Sequence, residues 1–295
     1  MMNHTIQAFG KSYTFSEKGA ELISAIELSN EYEFIWQADP SIWPRHAPIL
    51  FPIVGKLKNN QYQFMGNTYE LPQHGFARDT IFEIQELYSD LITFKLENNE
   101  HTKLVYPFQF VLLVSYQAIE NGLSMTLTIQ NKSEELMPFS IGLHPGFQLP
   151  EANLKAFELF SDTAFNWERS ELKEGLLNGQ KETNSSTSQS LQLHSESFKR
   201  DALVFENYPN KIIGIKHLHS SFKIQMQTLG FTYLGIWNKY PSQSFVCLEP
   251  WAGITDQVDT SGDIFSKKGI HVIESNEIQS FQTNILMFAP NQSFI

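Results

Sequence analysis

The sequence of 295 residues predicts an all-β protein with large antiparallel sheets and few, short helices. Apolar and polar residues alternate at 91–97 ("LITFKLE"), 122–131 ("GLSMTLTIQN") and 221–227 ("SFKIQMQ"), a pattern typical of strands with one buried face. Aromatic residues, which favour strands, make up 13% of the chain. No long segment keeps a 3.6-residue apolar period, so we expect no long helix.

Turn signals separate the predicted strands at short intervals, as in "MGN" (65–67) and "ENG" (120–122). One segment differs from this pattern. The stretch "NGQKETNSSTSQS" (178–190) is polar and has no apolar anchor, which predicts an exposed loop or a loose hairpin tip. Because strand patterns lie on both sides of it, we expect residues 1–295 to form a single domain rather than two domains joined by a linker.

Composition excludes several classes of partner. The formal charge is −11 and there is no basic run, which argues against nucleic acid and against an anionic membrane surface. The single cysteine, Cys247, excludes an internal disulfide framework and fits a reducing compartment. Neither a signal-peptide pattern nor an apolar run long enough to span a bilayer is present. We therefore expect a cytoplasmic protein.

Familiar cofactor motifs are missing from the sequence. There is no Gly-rich phosphate loop and no pair of cysteines that would suit zinc. The "HLH" at 217–219 would place His217 and His219 on one face of a strand, but no carboxylate accompanies them. An exposed strand face is the favoured interpretation there. We expect no cofactor and no metal.

Four polar clusters remain as candidates for a functional site. His144 and Glu249 share a position type, since each follows or ends an apolar strand where the chain turns, and such positions favour partial burial and an altered pKa. By residue type alone, such a histidine is more often a capping or packing residue, and such a glutamate is more often a solvated or salt-bridged group. The clusters are "RHAPILFPIVGK" (45–56), "LPQHGFARD" (71–79), "FSIGLHPGF" (139–147) and "FVCLEPWAG" (245–253).

In this order and spacing the clusters resemble the aldose 1-epimerase (mutarotase) superfamily. The most specific portion is "APILFPIVGKLKNNQYQFMGNTYELPQHGFARD" (47–79), and "GLHPGF" (142–147), "RDALVFENY" (200–208) and "CLEPWAGITD" (247–256) follow. The resemblance spans residues 15–290. It is to the LacX-like branch, and the chain is also similar to glucose-6-phosphate 1-epimerase-like proteins. It implies a β-supersandwich fold and a metal-free acid/base isomerase.

The resemblance also implies roles for individual residues. His144 matches the general acid of the family, and Glu249 matches the general base. His74 and Arg78 correspond to sugar-contacting positions. Asp201 corresponds to a position that holds sugar hydroxyls.

Two further cations are implicated in the same way. Arg45 corresponds to the arginine that opens the "FPIVG" segment, and Lys56 stands where galactose mutarotases carry an arginine. The short "PQHG" (72–75) replaces an Asn-His-rich segment of those enzymes. The galactose-specific hydroxyl contacts therefore cannot be transferred to this chain.

Aromatic residues near the clusters are candidates for a stacking platform under a pyranose ring. Trp251, Phe76 and Phe147 are such candidates, and core packing is the alternative for each. Asp79 is expected to hold Arg78 in a structural clamp.

We expect an aldose 1-epimerase that interconverts the α and β anomers of a hexose. Glu249 should be ionised and His144 charged near neutral pH, with a bell-shaped pH profile. One alternative is a hexose-6-phosphate 1-epimerase, in which two of Arg45, Lys56 and Arg78 would meet a phosphate far from His144. The other is a carbohydrate-binding or sensing protein that has lost the chemistry. The expected partner is a small sugar, and the expected state a monomer or homodimer.

Overall fold

The computed structural model describes residues 2–165, 168–183, 187–206, 208 and 211–291. Strands make up about 51% of the chain and helices about 8%, which confirms the predicted all-β class. No helix within the described ranges has the length and apolar character needed to cross a membrane.

The elements of the described residues have the following bounds. One α-helix, α1, covers Glu100–Val105, and short 3-10 helices cover Lys58–Asn60, Ala77–Asp79, Leu154–Ala156, Ser195–Phe198 and Ile264–Ser266. The strands are β1 (Asn3–Ala8), β2 (Lys11–Ser16), β3 (Glu21–Glu27), β4 (Tyr32–Glu33), β5 (Ile49–Leu50), β6 (Gln61–Phe64), β7 (Asn67–Glu70), β8 (Glu83–Leu87), β9 (Leu91–Glu97), β10 (Phe110–Ile119), β11 (Gly122–Asn131), β12 (Met137–Phe139), β13 (Ile141–Leu143), β14 (Gly146–Gln148), β15 (Phe157–Ser161), β16 (Glu168–Lys173), β17 (Leu176–Thr183), β18 (Ser190–Gln192), β19 (Leu203–Phe205), β20 (Ile212–His217), β21 (Lys223–Leu229), β22 (Tyr233–Trp237), β23 (Phe245–Ala252), β24 (His271–Ile273) and β25 (Ile278–Phe288).

Two large antiparallel sheets dominate the fold. One has nine strands in the order β18-β15-β20-β21-β25-β11-β10-β9-β8, and the other has eight strands including β17-β16-β19-β22-β23-β13-β5. The strand β14 also pairs with β23. A separate four-stranded sheet contains β1 to β4. The long hairpin of β10 and β11 turns at the predicted "ENG", where Asn121 has a φ of 64°.

The main core is formed by the alternating buried residues of these sheets. Along β11, buried and half-buried residues alternate from Leu123 to Asn131, as the sequence pattern at 122–131 predicts. One connected cluster of buried side chains runs from Ile6 to Met287 and includes residues of both large sheets. Because a domain has a core of its own, we propose that the chain forms one domain.

The strand β23 is buried on both faces, and this places the functional site. All eight of its residues are buried. Val246 and Leu248 belong to the main core, whereas Cys247 and Trp251 belong to smaller clusters on the opposite side of the sheet. Since successive side chains of a strand point to opposite faces, Glu249 lies on the same face as Cys247 and Trp251. We call this the outer face of the eight-stranded sheet.

The predicted loop at 178–190 is partly wrong. Residues 178–183 continue β17, which pairs with β16 at the edge of the eight-stranded sheet. An edge strand can be polar throughout, because backbone pairing on one side needs no apolar anchor. Most of these residues are exposed. Residues 184–186 lie outside the described part of the chain, and β18 begins at Ser190.

A buried ion pair fixes the chain after β23. Lys267 Nζ lies 2.9 Å from Asp256 Oδ1 and donates to the Ile254 carbonyl at 2.6 Å. The other oxygen of Asp256 accepts the Lys58 amide at 2.9 Å. The Lys267 and Asp256 side chains are only 2% and 4% exposed. The pair therefore ties three segments together in a place that water does not reach.

The Lys267→Met variant tests this pair. The change should lower the free energy of unfolding by about 3–5 kcal/mol, because it leaves the Asp256 carboxylate buried without its cation. Urea unfolding followed by circular dichroism measures the loss. The control is Lys181→Met, which removes an equally close but exposed pair with Glu168 (2.7 Å) and should cost about 0–1 kcal/mol. Equal losses in the two variants would contradict the argument.

Candidate active site

A cavity of about 370 Å³ opens on the outer face of the eight-stranded sheet. Its size falls in the range of small-molecule sites, about 300–1,000 Å³. Of the eight residues predicted from the sequence, the lining contains six: His74, Arg78, His144, Asp201, Glu249 and Trp251. Arg45 and Lys56 do not belong to the lining.

A wider cleft lies elsewhere on the surface, but it has no comparable chemistry. It measures about 720 Å³ and is lined by Lys11, Glu27 and Lys223 among others. Lys11 and Glu27 are paired with each other at 2.8 Å, and Lys223 lies 4.9 Å from the centre of the Phe160 ring. Since its charged groups already have partners, we assign the site to the smaller cavity.

The sheet register brings His144 and Glu249 together. Gly142 of β13 pairs with Trp251, and Gly146 of β14 pairs with Cys247. His144 lies midway between these two glycines, so it stands opposite Glu249, which lies midway between Cys247 and Trp251. The His144 Nε2 and Glu249 Oε2 atoms are 3.1 Å apart. Two residues that are far apart in sequence thus form a direct cross-strand pair.

Two glycines let the Trp251 ring lie flat on the outer face. A Cβ atom at Gly235 would come within 2.4 Å of the Trp251 ring, and one at Gly142 within 2.7 Å. The ring packs against Leu50 and Val54 and is 5% exposed. Trp251 therefore both lines the cavity and packs in a small core, so the two interpretations of this residue are compatible.

The sequence interpretation missed two tryptophans that flank His144. The Trp43 ring stacks on the His144 ring at 5.0 Å with an interplanar angle of 28°. Trp237 meets the same ring edge-on at 5.7 Å. Both line the cavity. The available signal was the position of Trp43 just before the "RHAPILFPIVGK" cluster, since the chain has only five tryptophans.

The other two proposed platform residues pack in the core. Phe147 is fully buried in the main cluster. Phe76 packs against that cluster and meets Phe51 edge-on at 6.1 Å. Neither residue belongs to the cavity lining, so core packing is the right interpretation for both.

The loop "LPQHGFARD" delivers His74 to the cavity in a defined tautomer. Gly75 has a φ of 70°, and a Cβ atom there would lie 2.2 Å from the Phe51 carbonyl oxygen, so the tight turn needs glycine. The Gly55 amide donates to His74 Nδ1 at 3.1 Å. Burial lowers the pKa of His74 well below its usual value of 6.5, so the ring is neutral. Its hydrogen is therefore on Nε2, which makes Nε2 a donor, and the Gln73 side-chain amide 3.3 Å away must turn its oxygen toward this nitrogen.

Asp79 holds two arginines beside the cavity. Arg45 donates to both Asp79 oxygens at 3.2 Å, and Arg78 Nε lies 3.7 Å from Asp79 Oδ2. Arg78 also donates to the Gln73 carbonyl at 2.6 Å. Burial, with a smaller effect of the Arg45 charge, lowers the pKa of Arg78 to about 10. The Arg78 guanidinium stays charged near neutral pH, and of the two arginines it is the one that lines the cavity.

Lys56 and Asp201 occupy different surroundings. Lys56 Nζ donates to the Glu174 carbonyl at 3.4 Å, outside the cavity lining. Asp201 lies just before β19 and lines the cavity, and one of its oxygens accepts the Ala202 amide at 2.8 Å. Its second oxygen is available to a ligand.

Burial controls the protonation of the central pair. It raises the pKa of Glu249 well above its usual 4.5, and the negative charge of Asp201 adds to this effect. It lowers the pKa of His144 to about 3, and the charges of Arg78 and Arg45 act in the same direction. Both shifts favour uncharged groups, which places the shared proton on the Glu249 carboxyl. The expected ionised glutamate and charged histidine are thus not the resting state.

Comparison with known proteins assigns the family. The family model described as aldose 1-epimerase matches residues 2–269. The chain belongs to the aldose 1-epimerase family. Its relative LacX, encoded on a plasmid of Lactococcus lactis subsp. lactis, is 29% identical over 266 residues, which cover 86% of this chain and 88% of LacX.

Solved structures agree with this membership of the aldose 1-epimerase family. A galactose mutarotase related enzyme from Lactobacillus acidophilus superposes with a TM-score of 0.94 and 35% identity, covering 99% of both chains. A galactose mutarotase-like protein from Lactobacillus casei has a TM-score of 0.92 and 27% identity, covering 97% of this chain and 100% of its own. These likenesses confirm the predicted β-supersandwich of the galactose mutarotase type.

The stability of the Glu249→Gln variant relative to the wild type, measured at two pH values, tests whether Glu249 is protonated in the folded protein. At a pH between its unfolded and folded pKa values, a carboxyl whose pKa is raised by folding is protonated in the folded state and ionised in the unfolded state. Stability then falls by about 1.4 kcal/mol for each pH unit between the unfolded and folded pKa values. Glutamine keeps the shape and a donor but cannot ionise. The variant should therefore gain stability over the wild type as the pH rises above 4.5.

Urea unfolding at roughly pH 5 and pH 8 measures this difference. The matched control is Glu151→Gln, because Glu151 pairs with His217 at the same 3.1 Å but is 48% exposed. Its stability difference should not change with pH in this way. A Glu249→Gln difference that is the same at both pH values would show that Glu249 is ionised in the folded protein.

Proposed function

We propose that the protein is an aldose 1-epimerase that interconverts the α and β anomers of a hexose. The observation that carries the proposal is the contact of His144 Nε2 with Glu249 Oε2 at 3.1 Å on the floor of a cavity of small-molecule size. The reaction needs one group to accept a proton and another to donate one, and both must reach the same sugar.

In the proposed mechanism, the Glu249 carboxylate takes the proton of the C1 hydroxyl. The His144 imidazolium protonates the ring oxygen, and the bond between C1 and the ring oxygen breaks. The product is the open-chain aldehyde, and rotation about the C1–C2 bond presents its other face. Ring closure runs the same proton transfers backwards and forms the other anomer. Each well-placed proton transfer contributes about 10²–10⁴-fold to the rate.

The proton shared by the pair connects this mechanism to the resting state. Moving that proton from Glu249 to His144 along their contact converts the uncharged pair into the ion pair that opens the ring. The uncharged pair and the ion pair carry the same number of protons, so this step exchanges no proton with solvent. A bound sugar stabilises the ion pair with its hydroxyl groups, which replace water around the two charges.

The rest of the lining suits a sugar. The His74 Nε2–H and the Arg78 guanidinium are donors, and Asp201 offers an acceptor. The rings of Trp43 and Trp237 supply an apolar wall next to His144. A few convergent polar groups beside aromatic side chains are the usual composition of a small-molecule site.

Specific observations bear on the two alternative functions, a hexose-6-phosphate 1-epimerase and a sensing protein. A phosphosugar site was expected to gather two of Arg45, Lys56 and Arg78 far from His144, but Arg78 is the one member of that set in the lining. Lys239 is exposed and also lines the cavity, so a phosphorylated sugar belongs in any substrate panel. A sensing protein without chemistry has no need for the direct contact of His144 and Glu249.

Anomer exchange measured by NMR tests the proposed function. The panel is glucose, galactose and glucose 6-phosphate at low temperature, in a buffer that does not catalyse the exchange. The wild type should accelerate exchange, and Glu249→Gln should lower the rate by about 10²–10⁴-fold because the proton acceptor is gone. The control Glu151→Gln alters a similar but exposed pair and should keep the wild-type rate. Binding without acceleration by the wild type would favour the sensing protein.

The pH dependence of kcat/KM is a second test. The active form carries one proton on the pair, and activity falls when a second proton binds or when the shared one leaves. Since the pKa of His144 is lowered to about 3, the acid limb should lie well below the usual histidine value of 6.5. Since the pKa of Glu249 is raised, the alkaline limb should lie well above 4.5. An acid limb near 6.5 would contradict the lowered pKa of His144 as the cause of the activity loss at low pH.

A further inference from the structure

We propose that the floor of the cavity is an inhibitory binding site for a thiophilic divalent cation, with Zn²⁺ as the ion it fits best. Three ligand atoms of different chemistry meet there: a ring nitrogen of His144, Cys247 Sγ and a Glu249 carboxylate oxygen, all within 4.8 Å of one another. The proposed acid/base chemistry uses the histidine and the glutamate and has no role for the thiol.

The strand geometry explains why the thiol lies beside the pair. Cys247 and Glu249 are two residues apart on β23, so both side chains stand on the outer face. Cys247 pairs with Gly146, which follows His144 by two residues. The thiol is fully buried and does not belong to the cavity lining, so it lies under the pair rather than beside a bound sugar.

The distances suit a tetrahedral ion after a small adjustment. Zinc bonds of about 2.0–2.3 Å place ligand atoms about 3.3–3.8 Å apart. The His144 and Glu249 atoms are already 3.1 Å apart, and the whole set spans at most 4.8 Å. Side-chain movements of about 1 Å would bring the three atoms to bonding distance. The fourth position would face the cavity, where water can bind.

Charge balance favours Zn²⁺ at this place. Binding releases two protons to solvent, one from the Cys247 thiol and one from the pair. The ion then has a thiolate, a carboxylate and a neutral imidazole, and the site has no net charge. A neutral site avoids the cost that burial imposes on an isolated charge. Mg²⁺ and Ca²⁺ prefer oxygen ligands and should not bind here.

Occupancy by the ion would stop the proposed reaction. The metal would take the lone pair of His144 Nε2 and the carboxylate of Glu249, which are the atoms that move protons. The inhibition therefore rests on the proposed epimerase function, whereas binding of the ion does not. The two parts need separate measurements.

The binding test is a titration with Co²⁺, which reports thiolate coordination by a charge-transfer absorption in the near ultraviolet. The wild type should develop this band with one equivalent of Co²⁺, and Zn²⁺ should remove it. Cys247→Ala should show no band. The control His217→Ala alters a half-buried histidine that pairs with the exposed Glu151, outside the cavity lining, and should keep the band. A wild type without the band overturns the proposal, whatever its epimerase activity.

The inhibition test compares Zn²⁺ with Mg²⁺ in the anomer-exchange assay. Zn²⁺ should inhibit the wild type, a chelator should restore its rate, and Mg²⁺ should have no effect. Removing a hydrogen-bond partner of a metal ligand lowers metal affinity by about 10–100-fold. Cys247→Ser removes a ligand itself, so half-inhibition of this variant should need at least about 100-fold more Zn²⁺ than half-inhibition of the wild type. Each variant is compared with its own zinc-free rate, and thermal unfolding checks that it is folded. Equal zinc sensitivity of the wild type and Cys247→Ser would overturn the inhibitory site.

Discussion

The whole site depends on the burial of β23 on both faces. Its even-numbered residues, such as Val246 and Leu248, complete the main core, while the odd-numbered Glu249 and Trp251 line the cavity and Cys247 lies buried beneath them. A shift of the pairing by one residue would turn Glu249 into the core and expose an apolar residue to the cavity. The packing of the core thus sets the register, and the register sets the position of the glutamate. Stability and site geometry depend on the same strand.

The partner of Glu249 comes from an interruption in the neighbouring strand. β13 and β14 both pair with β23, and the segment between them contains His144 and Pro145. Proline has no amide hydrogen to donate to a ladder, so the pairing breaks there. On the other side, the His144 amide donates to the Pro48 carbonyl at 3.1 Å, which continues the register of β13 with β5. The backbone of the histidine is therefore held from the β5 side, while its side chain stays opposite Glu249.

Much of the fold was predictable from the sequence, because half-buried strands show their period directly. The alternation at 91–97, 122–131 and 221–227 matches β9, β11 and β21. A strand that is buried on both faces has no such alternation, so "FVCLEPWAG" could not show which side chains face a cavity. The proximity of His144 and Glu249 followed from the family resemblance, since a cross-strand contact depends on a register that one sequence does not reveal.

The differences between the predicted site residues and the cavity lining have a common physical cause. Arg45 and Lys56 have the charge that a sugar or phosphate site would use, but Asp79 and the Glu174 carbonyl hold them outside the cavity lining. Trp43 and Trp237 resemble core residues in an aromatic-rich chain, yet they surround His144. In each case the partner that decides the role is distant in sequence. Residue type alone indicates what a side chain can do, and the fold selects which partner it meets.

The protonation of the central pair links these features to the proposed reaction. The uncharged pair that burial favours is also the state that ring opening leaves behind, with the proton on Glu249 and a neutral His144. Burial therefore favours the form of the pair that closes the ring in the proposed mechanism, and the sugar would have to stabilise the charged form. The donors His74 and Arg78 and the acceptor Asp201 lie in the cavity lining, where they could hold that sugar. The proposed reaction thus depends on a polar ligand, because the hydroxyl groups of the sugar would stabilise the ion pair that opens the ring.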